Sequence, residues 1–244
     1  MIYLAIETSC DETSVALFEN RRLLKHYIYS QIEEHKKWGG VVPEIASRQH
    51  SEKISYLLKK LKINKLDLVG FTRGPGLKGS LLVGKIAAMV LAKFFKSRVI
   101  GLNHLEGHFL SPELSDDMIV DRIKFPCIGL IVSGGHSELW YSEGYGNYKV
   151  IGRTKDDAAG ECFDKTAKIL GLSYPGGPAI AAWAAKTQIV KHKLQIKLPR
   201  PMINSSDFNF SFAGLKTAVL YKIYELKNKC KMEEIVPVMA FEIQ

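Results

Sequence analysis

Residues Tyr3–Ser30 read YLAIETSCDETSVALFENRRLLKHYIYS, and residues Cys127–Thr154 read CIGLIVSGGHSELWYSEGYGNYKVIGRT. The two stretches have the same length and rhythm. Each is an apolar run, a loop of small residues, a second run, a turn and a third run, the pattern of three successive strands. ETSCDETS aligns with VSGGHS at the loop. A single repeat at so long a period is a duplicated lobe, not a solenoid. It predicts an α/β protein of two related lobes, residues 1–120 and 121–244, each a sheet with helices, facing one another across a cleft.

The first copy continues with a helical pattern over residues 41–61, with Pro43 near its start. A strand follows that runs into a glycine loop over 67–76, then an apolar helix over 80–95 and a strand over 98–104. The second copy continues with helical patterns only, Ala158–Leu170, Pro178–Lys186, Phe212–Lys227 and Met232–Gln244. No second strand–glycine-loop–helix unit follows. The expectation is therefore a truncated second lobe, with that unit lying beyond Gln244.

Composition excludes several classes. The chain is 46% hydrophobic and 24% charged, the balance of a globular protein with a core. Its longest apolar stretch, Leu81–Phe95, is broken by Lys85 and Lys93 and is too short and too charged to span a bilayer. MIYLAIETSC has no basic leader or cleavage site. Cys10, Cys127, Cys162 and Cys230 form no CxxC pair, which fits a reducing cytoplasm. A net charge of +9 favours a polyanionic partner, with lysines gathered in Lys186–Arg200 and Tyr221–Lys231. A lysine-rich helix face is, however, usually just solvated.

GLNHLEGHF places His104 and His108 four residues apart. On a helix that spacing puts both imidazoles on one face, where they can share one ion. The zinc-protease pattern H-E-x-x-H has the same histidine spacing, but its glutamate follows the first histidine directly. Here Leu105 stands there, and Glu106 lies about a hundred degrees further round the helix. Two histidines do not fill a metal shell, so a third ligand is required. On spacing alone, a polar helix start that happens to carry two histidines remains the alternative.

The loops suit a phosphate. Ser133–Gly135 offers backbone N–H groups without side-chain obstruction. Thr72–Ser80 has three glycines and opens a helix, but it matches neither the P-loop nor G-x-G-x-x-G. Tyr174–Ile180 is a further glycine turn. Asp164 lies on an otherwise apolar-faced helix, where a lone aspartate is more often a cap or surface residue than a ligand contact. Asp11 and Glu12 sit in the first loop, where carboxylates beside phosphate orient a metal or polarise a hydroxyl or amine. No Ser–His–Asp or Cys–His nucleophile stands out.

Taken together, ETSCDET (Glu7–Thr13), GGVVPEIASRQH (Gly39–His50), GPGLKGSLLVG (Gly74–Gly84), NHLEGH (Asn103–His108), IVSGGHSEL (Ile131–Leu139), DDAAGECFDKTAKILGLSYPGGP (Asp156–Pro178) and FSFAGLKTAV (Phe210–Val219) resemble the bacterial-type tRNA adenosine threonylcarbamoyltransferase (TsaD) family, once described as glycoprotein endopeptidases. The resemblance runs in order along essentially the whole chain. It implies an actin-like ATPase fold in two duplicated lobes. It implies transfer of a threonylcarbamoyl group from threonylcarbamoyl-AMP to N6 of the adenosine beside the anticodon in tRNAs reading ANN codons, with release of AMP and no covalent enzyme intermediate. It implies one divalent metal, Fe2+ or Zn2+, on His104 and His108. Nucleotide contacts are implied at Ile131, Val132, Ser133, Gly134, Gly135, Asp164 and Gly177, and a catalytic part for Asp11 and Glu12. The implied partners are tRNA, an inactive actin-fold paralogue, a small P-loop ATPase and the enzyme that makes the AMP anhydride; a homodimer is a further implied assembly. The family's third metal ligand, an aspartate, and its G-G-V-x-x-N nucleotide loop are expected beyond Gln244, so a chain ending there is expected to have weak or no activity. An actin-fold small-molecule kinase, a metalloprotease and a non-catalytic paralogue acting as a scaffold are the rival readings.

Overall fold

The computed structural model describes residues 1–115, 118–189 and 194–244. Lys191, His192 and Lys193 of the first basic cluster lie outside the described residues. The chain divides into two compact units, Met1–Lys124 and Phe125–Gln244.

In the first unit, β1 (Ile2–Glu7), β2 (Glu12–Glu19) and β3 (Arg22–Ser30) form an antiparallel meander. The other edge of β1 takes β4 (Leu68–Gly74) in parallel, and β4 takes β5 (Arg98–Asn103). Two short strands, β6 (Leu114–Ser115) and β7 (Met118–Ile119), extend the far edge, so the order is β5-β4-β1-β2-β3-β7-β6. This α/β order, a meander continued by parallel strands through helical crossovers, is the actin-like arrangement. Side chains alternate between faces of a strand, and the register sets Leu4 against Leu17 and Ile6 against Val15. Those four residues and Val69 therefore share one face. The helices α2 (Pro43–Leu61) and α3 (Lys78–Phe95) close it with Ile54, Leu57, Leu61, Ala88 and Ala92. Pro43 opens α2, where its missing N–H costs nothing, and Lys62 ends it in the left-handed region.

Sequence periodicity anticipates each of these long elements. It does not anticipate the five-residue helix α1 (Ile32–Lys36). One and a half turns carry too few residues for a 3.6-residue pattern to show.

A buried polar chain seats α1 and α2 against the first loop. His35 and His50 are both 0% exposed. The Val42 N–H donates to His35 Nδ1 (3.3 Å), so His35 Nε2 carries the proton and donates to Gln31 Oε1 (3.1 Å). His50 Nε2 donates to the Cys10 carbonyl (3.0 Å), leaving Nδ1 to accept from Thr13 Oγ1 (2.7 Å) and Gln31 Nε2 (3.4 Å). With His50 neutral, each donor around it meets an acceptor. Burial holds His50 below its ordinary pKa, against the opposing pull of the Cys10 carbonyl, Glu7 and Asp11 and with that of His35. In the window below the ordinary histidine value of about 6.5 the unfolded chain binds this proton first. Stability is thus complete above that pH and falls as pH falls. The urea midpoint is expected to drop between pH 7.5 and 5, with a slope that His50→Gln reduces. One proton contributes at most about 1.4 kcal/mol per pH unit. Equal slopes in wild type and variant would rule this group out.

The second unit opens with β8 (Cys127–Val132), β9 (Ser137–Gly144) and β10 (Asn147–Arg153), an antiparallel meander like the first. Four helices follow, α5 (Ala159–Ile169), α6 (Gly176–Ile189), α7 (Ala213–Leu226) and α8 (Met232–Ile243). Their apolar faces meet in a core built on Ile180, Ala184, Val219, Ile223, Ile235 and Met239. No helix among the described residues is long and apolar enough to cross a membrane.

Candidate metal centre and nucleotide loops

The first unit carries the histidine pair on a short helix, α4 (His104–Leu110), that starts directly from β5. Asn103 caps it: its Oδ1 accepts from the Leu105 N–H (2.8 Å) and the Glu106 N–H (3.4 Å), satisfying two donors that a helix start leaves open. Leu105 and Phe109 are buried and anchor one side. The other side presents His104 and His108, with rings 4.5 Å apart and Nε2 atoms 3.1 Å apart. Two lone pairs cannot face one another at that distance with nothing between them. A proton on one ring or a shared cation must sit there. Imidazole ligands bound about 2.0–2.1 Å from one ion stand roughly 3 Å apart, so the donor pair fits a transition-metal ion. Among the described residues, no third His, Cys, Asp or Glu joins them.

Behind the pair stands a residue that motif reading left without a role. Glu7 ends β1, and its Oε2 lies 3.2 Å from His104 Nδ1. Thr72 Oγ1 donates to the same oxygen, and the Ser9 N–H donates to Oε1 at 2.5 Å. Ser9 Oγ lies 3.3 Å from His104 Nδ1. Burial pushes the Glu7 carboxyl up, but hydrogen bonds from His104, Ser9 and Thr72 outweigh it and bring the pKa down to about 2. The available signal was a carboxylate closing an otherwise apolar strand, MIYLAIE.

The first loop is bolted to the end of the glycine loop and to the first turn of α3. Thr8 Oγ1 donates to the Ser80 carbonyl (2.8 Å), and the Leu77 N–H donates to the Ser9 carbonyl (2.7 Å). Asp11 accepts the Gln31 N–H through its backbone carbonyl (2.9 Å), and Glu12 opens β2 opposite Ser30. Among the described residues it is Glu7 and Ser9, not Asp11 or Glu12, that the structure hydrogen-bonds to His104.

In the second unit the Ser133–Gly135 loop turns tightly on itself. Ser133 Oγ accepts from the His136 N–H (3.1 Å) and the Gly135 N–H (3.4 Å), and the Ser133 N–H donates to the His136 carbonyl (2.8 Å). The loop rests on the start of α5. The Gly160 N–H donates to the Ser133 carbonyl (3.2 Å), and Ser137 Oγ accepts from the Ala159 N–H (2.9 Å). Gly134 and Gly135 are exposed; neither has a positive φ, and a Cβ on either would meet nothing within 4 Å. Folding thus does not require glycine at these two positions. Their bareness leaves the backbone open to a ligand. Ile131 is buried and anchors the strand, while Val132 is exposed.

Asp164 and the α6 start come together: Asp164 Oδ1 accepts the Gly176 N–H (2.7 Å). Gly177, next along, has open space around it. Two other acids of the same segment are structural. Asp156 caps α7 by accepting from the Phe212 N–H (2.7 Å) and the Ala213 N–H (3.1 Å). Asp157 pairs with Lys165 (2.8 Å) and Lys216 (3.0 Å), tying α5 to α7.

A family model described as tRNA N6-adenosine threonylcarbamoyltransferase matches residues 22–243. A relative of that name from Nitrosospira multiformis is 51% identical over 227 residues, covering 90% of this chain and 64% of its own length. Another from Nitrosomonas eutropha is 47% identical over 249 residues, covering 99% of this chain and 71% of its own length. The chain thus spans about two thirds of the length of these relatives. Among solved structures, a Pseudomonas aeruginosa protein described as similar to the peptidase YEAZ overlaps 61% of this chain and 62% of its own, with a TM-score of 0.39 and 17% identity. An Aquifex aeolicus member of the Ppx/GppA family overlaps 99% of this chain and 90% of its own, with a TM-score of 0.33 and 12% identity.

Proposed function

The chain belongs to the tRNA N6-adenosine threonylcarbamoyltransferase family, and from that premise we propose that it serves the threonylcarbamoylation of tRNA adenosine. The observation that carries the reading is the convergence of His104 and His108 Nε2 at 3.1 Å in a chain with this family's sequence. The donor is threonylcarbamoyl-AMP. The N6 amine of the adenosine beside the anticodon attacks its carbamoyl carbon. A C–N bond forms, the C–O bond to AMP breaks, and the amine proton passes to solvent as AMP leaves. No covalent enzyme intermediate is needed. His104 and His108 would hold an ion, Fe2+ or Zn2+, and the chemistry it would supply when bound is Lewis-acid polarisation of a donor oxygen.

The chain's own groups do the rest. The open backbone at Gly134 and Gly135, with the α5 start below it, receives the AMP phosphate, since a helix N-terminus and an open loop backbone both favour an anion. Ile131, Val132 and Ser133 hold that loop, and Asp164 with Gly177 flanks the nucleotide from the α6 start. Asp11 and Glu12 orient the attacking amine. The net charge of +9 draws the tRNA through its phosphates, and the target base must leave its stack to react. The same reading places the protein in the cytoplasm, with an inactive actin-fold paralogue, a small P-loop ATPase and the enzyme supplying the anhydride as partners.

The test is direct transfer. The chain is incubated with unmodified tRNA, threonylcarbamoyl-AMP and Fe2+ or Zn2+, with and without those partner proteins. Digested nucleosides are then analysed by mass spectrometry. Threonylcarbamoyladenosine in low yield, dependent on the chain, is the expected product. Phosphorylation of a small molecule instead, unaffected by loss of His104 and His108, would favour an actin-fold kinase and overturn the proposal.

A further inference from the structure

The contacts behind the histidine pair concern a residue outside the sites above. We infer that Glu7 is a positioning residue for the metal, fixing which nitrogen of His104 is available to an ion. This rests on the metal reading of the pair and deepens it.

The argument is one of donors and acceptors. An ionised carboxylate only accepts. Glu7 Oε2 lies 3.2 Å from His104 Nδ1, so that nitrogen carries the ring proton. Nε2 is then a bare lone pair, aimed at His108 Nε2. Ser9 Oγ, 3.3 Å from the same Nδ1, is compatible with it, since a hydroxyl accepts as well as donates. Glu7 is itself held at both oxygens, by the Ser9 N–H on Oε1 and by Thr72 Oγ1 on Oε2. It cannot turn away without giving up those donors.

The placement comes from three strands of one sheet. β1 ends at Glu7, its parallel neighbour β4 supplies Thr72, and β5 runs into His104. Ser9 lies in the loop, Thr8 to Asp11, that leads into Glu12 at the start of β2. Glu7 thereby joins the histidine pair to that loop through one carboxylate. A carboxylate on the outer nitrogen of a metal-binding histidine fixes the tautomer and raises ligand basicity, and its loss typically weakens metal affinity 10–100-fold.

The probe is the metal alone. Co2+ and Zn2+ are titrated into the chain against a chromophoric chelator, with neither tRNA nor donor present. Glu7→Gln should weaken binding about 10–100-fold, and Thr72→Val by less, because Ser9 still holds the carboxylate. The nitrogen chemical shifts of His104 give a readout that a general loss of packing would not move. Wild type should show protonated Nδ1, and Glu7→Gln a mixture of tautomers. Should Glu7→Gln fail to fold, Thr72→Val and the wild-type tautomer carry the test. Unchanged affinity in Glu7→Gln, or Nε2-protonated His104 in wild type, would overturn the role of Glu7 and leave the metal reading standing. A wild-type chain that took up neither ion would overturn both. Transfer activity enters neither measurement, so its absence is a separate result.

Discussion

Alanine at both His104 and His108 is expected to abolish ion binding and, with it, transfer to tRNA. The two Nε2 atoms are the converging donors of this centre, so their loss should exceed the 10–100-fold that losing an outer-shell partner costs. The fold should survive. α4 is held by the Asn103 cap and by buried Leu105 and Phe109, none of which the substitutions touch. Glu7 would keep Thr72 and Ser9 as donors. Metal-free stability should therefore change by no more than about 1.5–3 kcal/mol, the worth of a hydrogen bond to the charged Glu7 carboxylate. Cobalt absorption reports the ion, nucleoside mass spectrometry reports the product, and urea unfolding separates both from misfolding. Transfer that persisted in the double variant would sink the metal-assisted reading, whatever the family.

What the sequence made readable was local. The alternation of Leu4 and Ile6, and of Val15 and Leu17, marks one face of two strands within a few residues of each other. The four-residue step from His104 to His108 puts both rings on one helix face; the Asn103 cap that starts this helix emerged only with the structure. Matching the two meanders needed only self-comparison of the chain. What stayed hidden depends on register between distant segments. Glu7 meets Thr72 across 65 residues and His104 across 97. Nothing in ETSCDET says which of its acids faces the imidazole until β1, β4 and β5 are laid side by side. The His50 contacts with Thr13 and Cys10 span 37 and 40 residues, and no periodicity encodes them. Asp156 enters the sequence only as the first residue of the family-like segment Asp156–Pro178. Its work, capping α7, lies 56 residues away.

The glycines show the same limit from the other side, because composition cannot say which of them the fold needs. Gly160 and Gly107 both sit inside helices, where alanine is ordinarily better by roughly 0.5–1 kcal/mol. Their surroundings differ. At Gly107, in α4, a Cβ would meet nothing within 4 Å, so Gly107→Ala should stabilise the chain by about that amount. At Gly160, in α5, a Cβ would lie 2.6 Å from the Ser133 carbonyl oxygen, 2.7 Å from Gly134 Cα and 2.9 Å from Gly134 N. All three are backbone atoms, and no rotamer change can clear them. Either the helix start or the Ser133–Gly135 loop must move, at an overpacking cost of about 1–3 kcal/mol, which outweighs the propensity gain. The hydrogen bond from the Gly160 N–H to Ser133 would stretch, and the open backbone of Gly134 and Gly135 would lose its seat. Gly160→Ala should therefore lower the unfolding free energy by about 1–2 kcal/mol and weaken AMP binding. Urea unfolding measures the first and calorimetric titration with AMP the second. The two substitutions are chemically identical and should carry opposite signs. If Gly160→Ala stabilised the chain as Gly107→Ala does, the loop would not rest on α5, and the phosphate seat built from that contact would be lost with it.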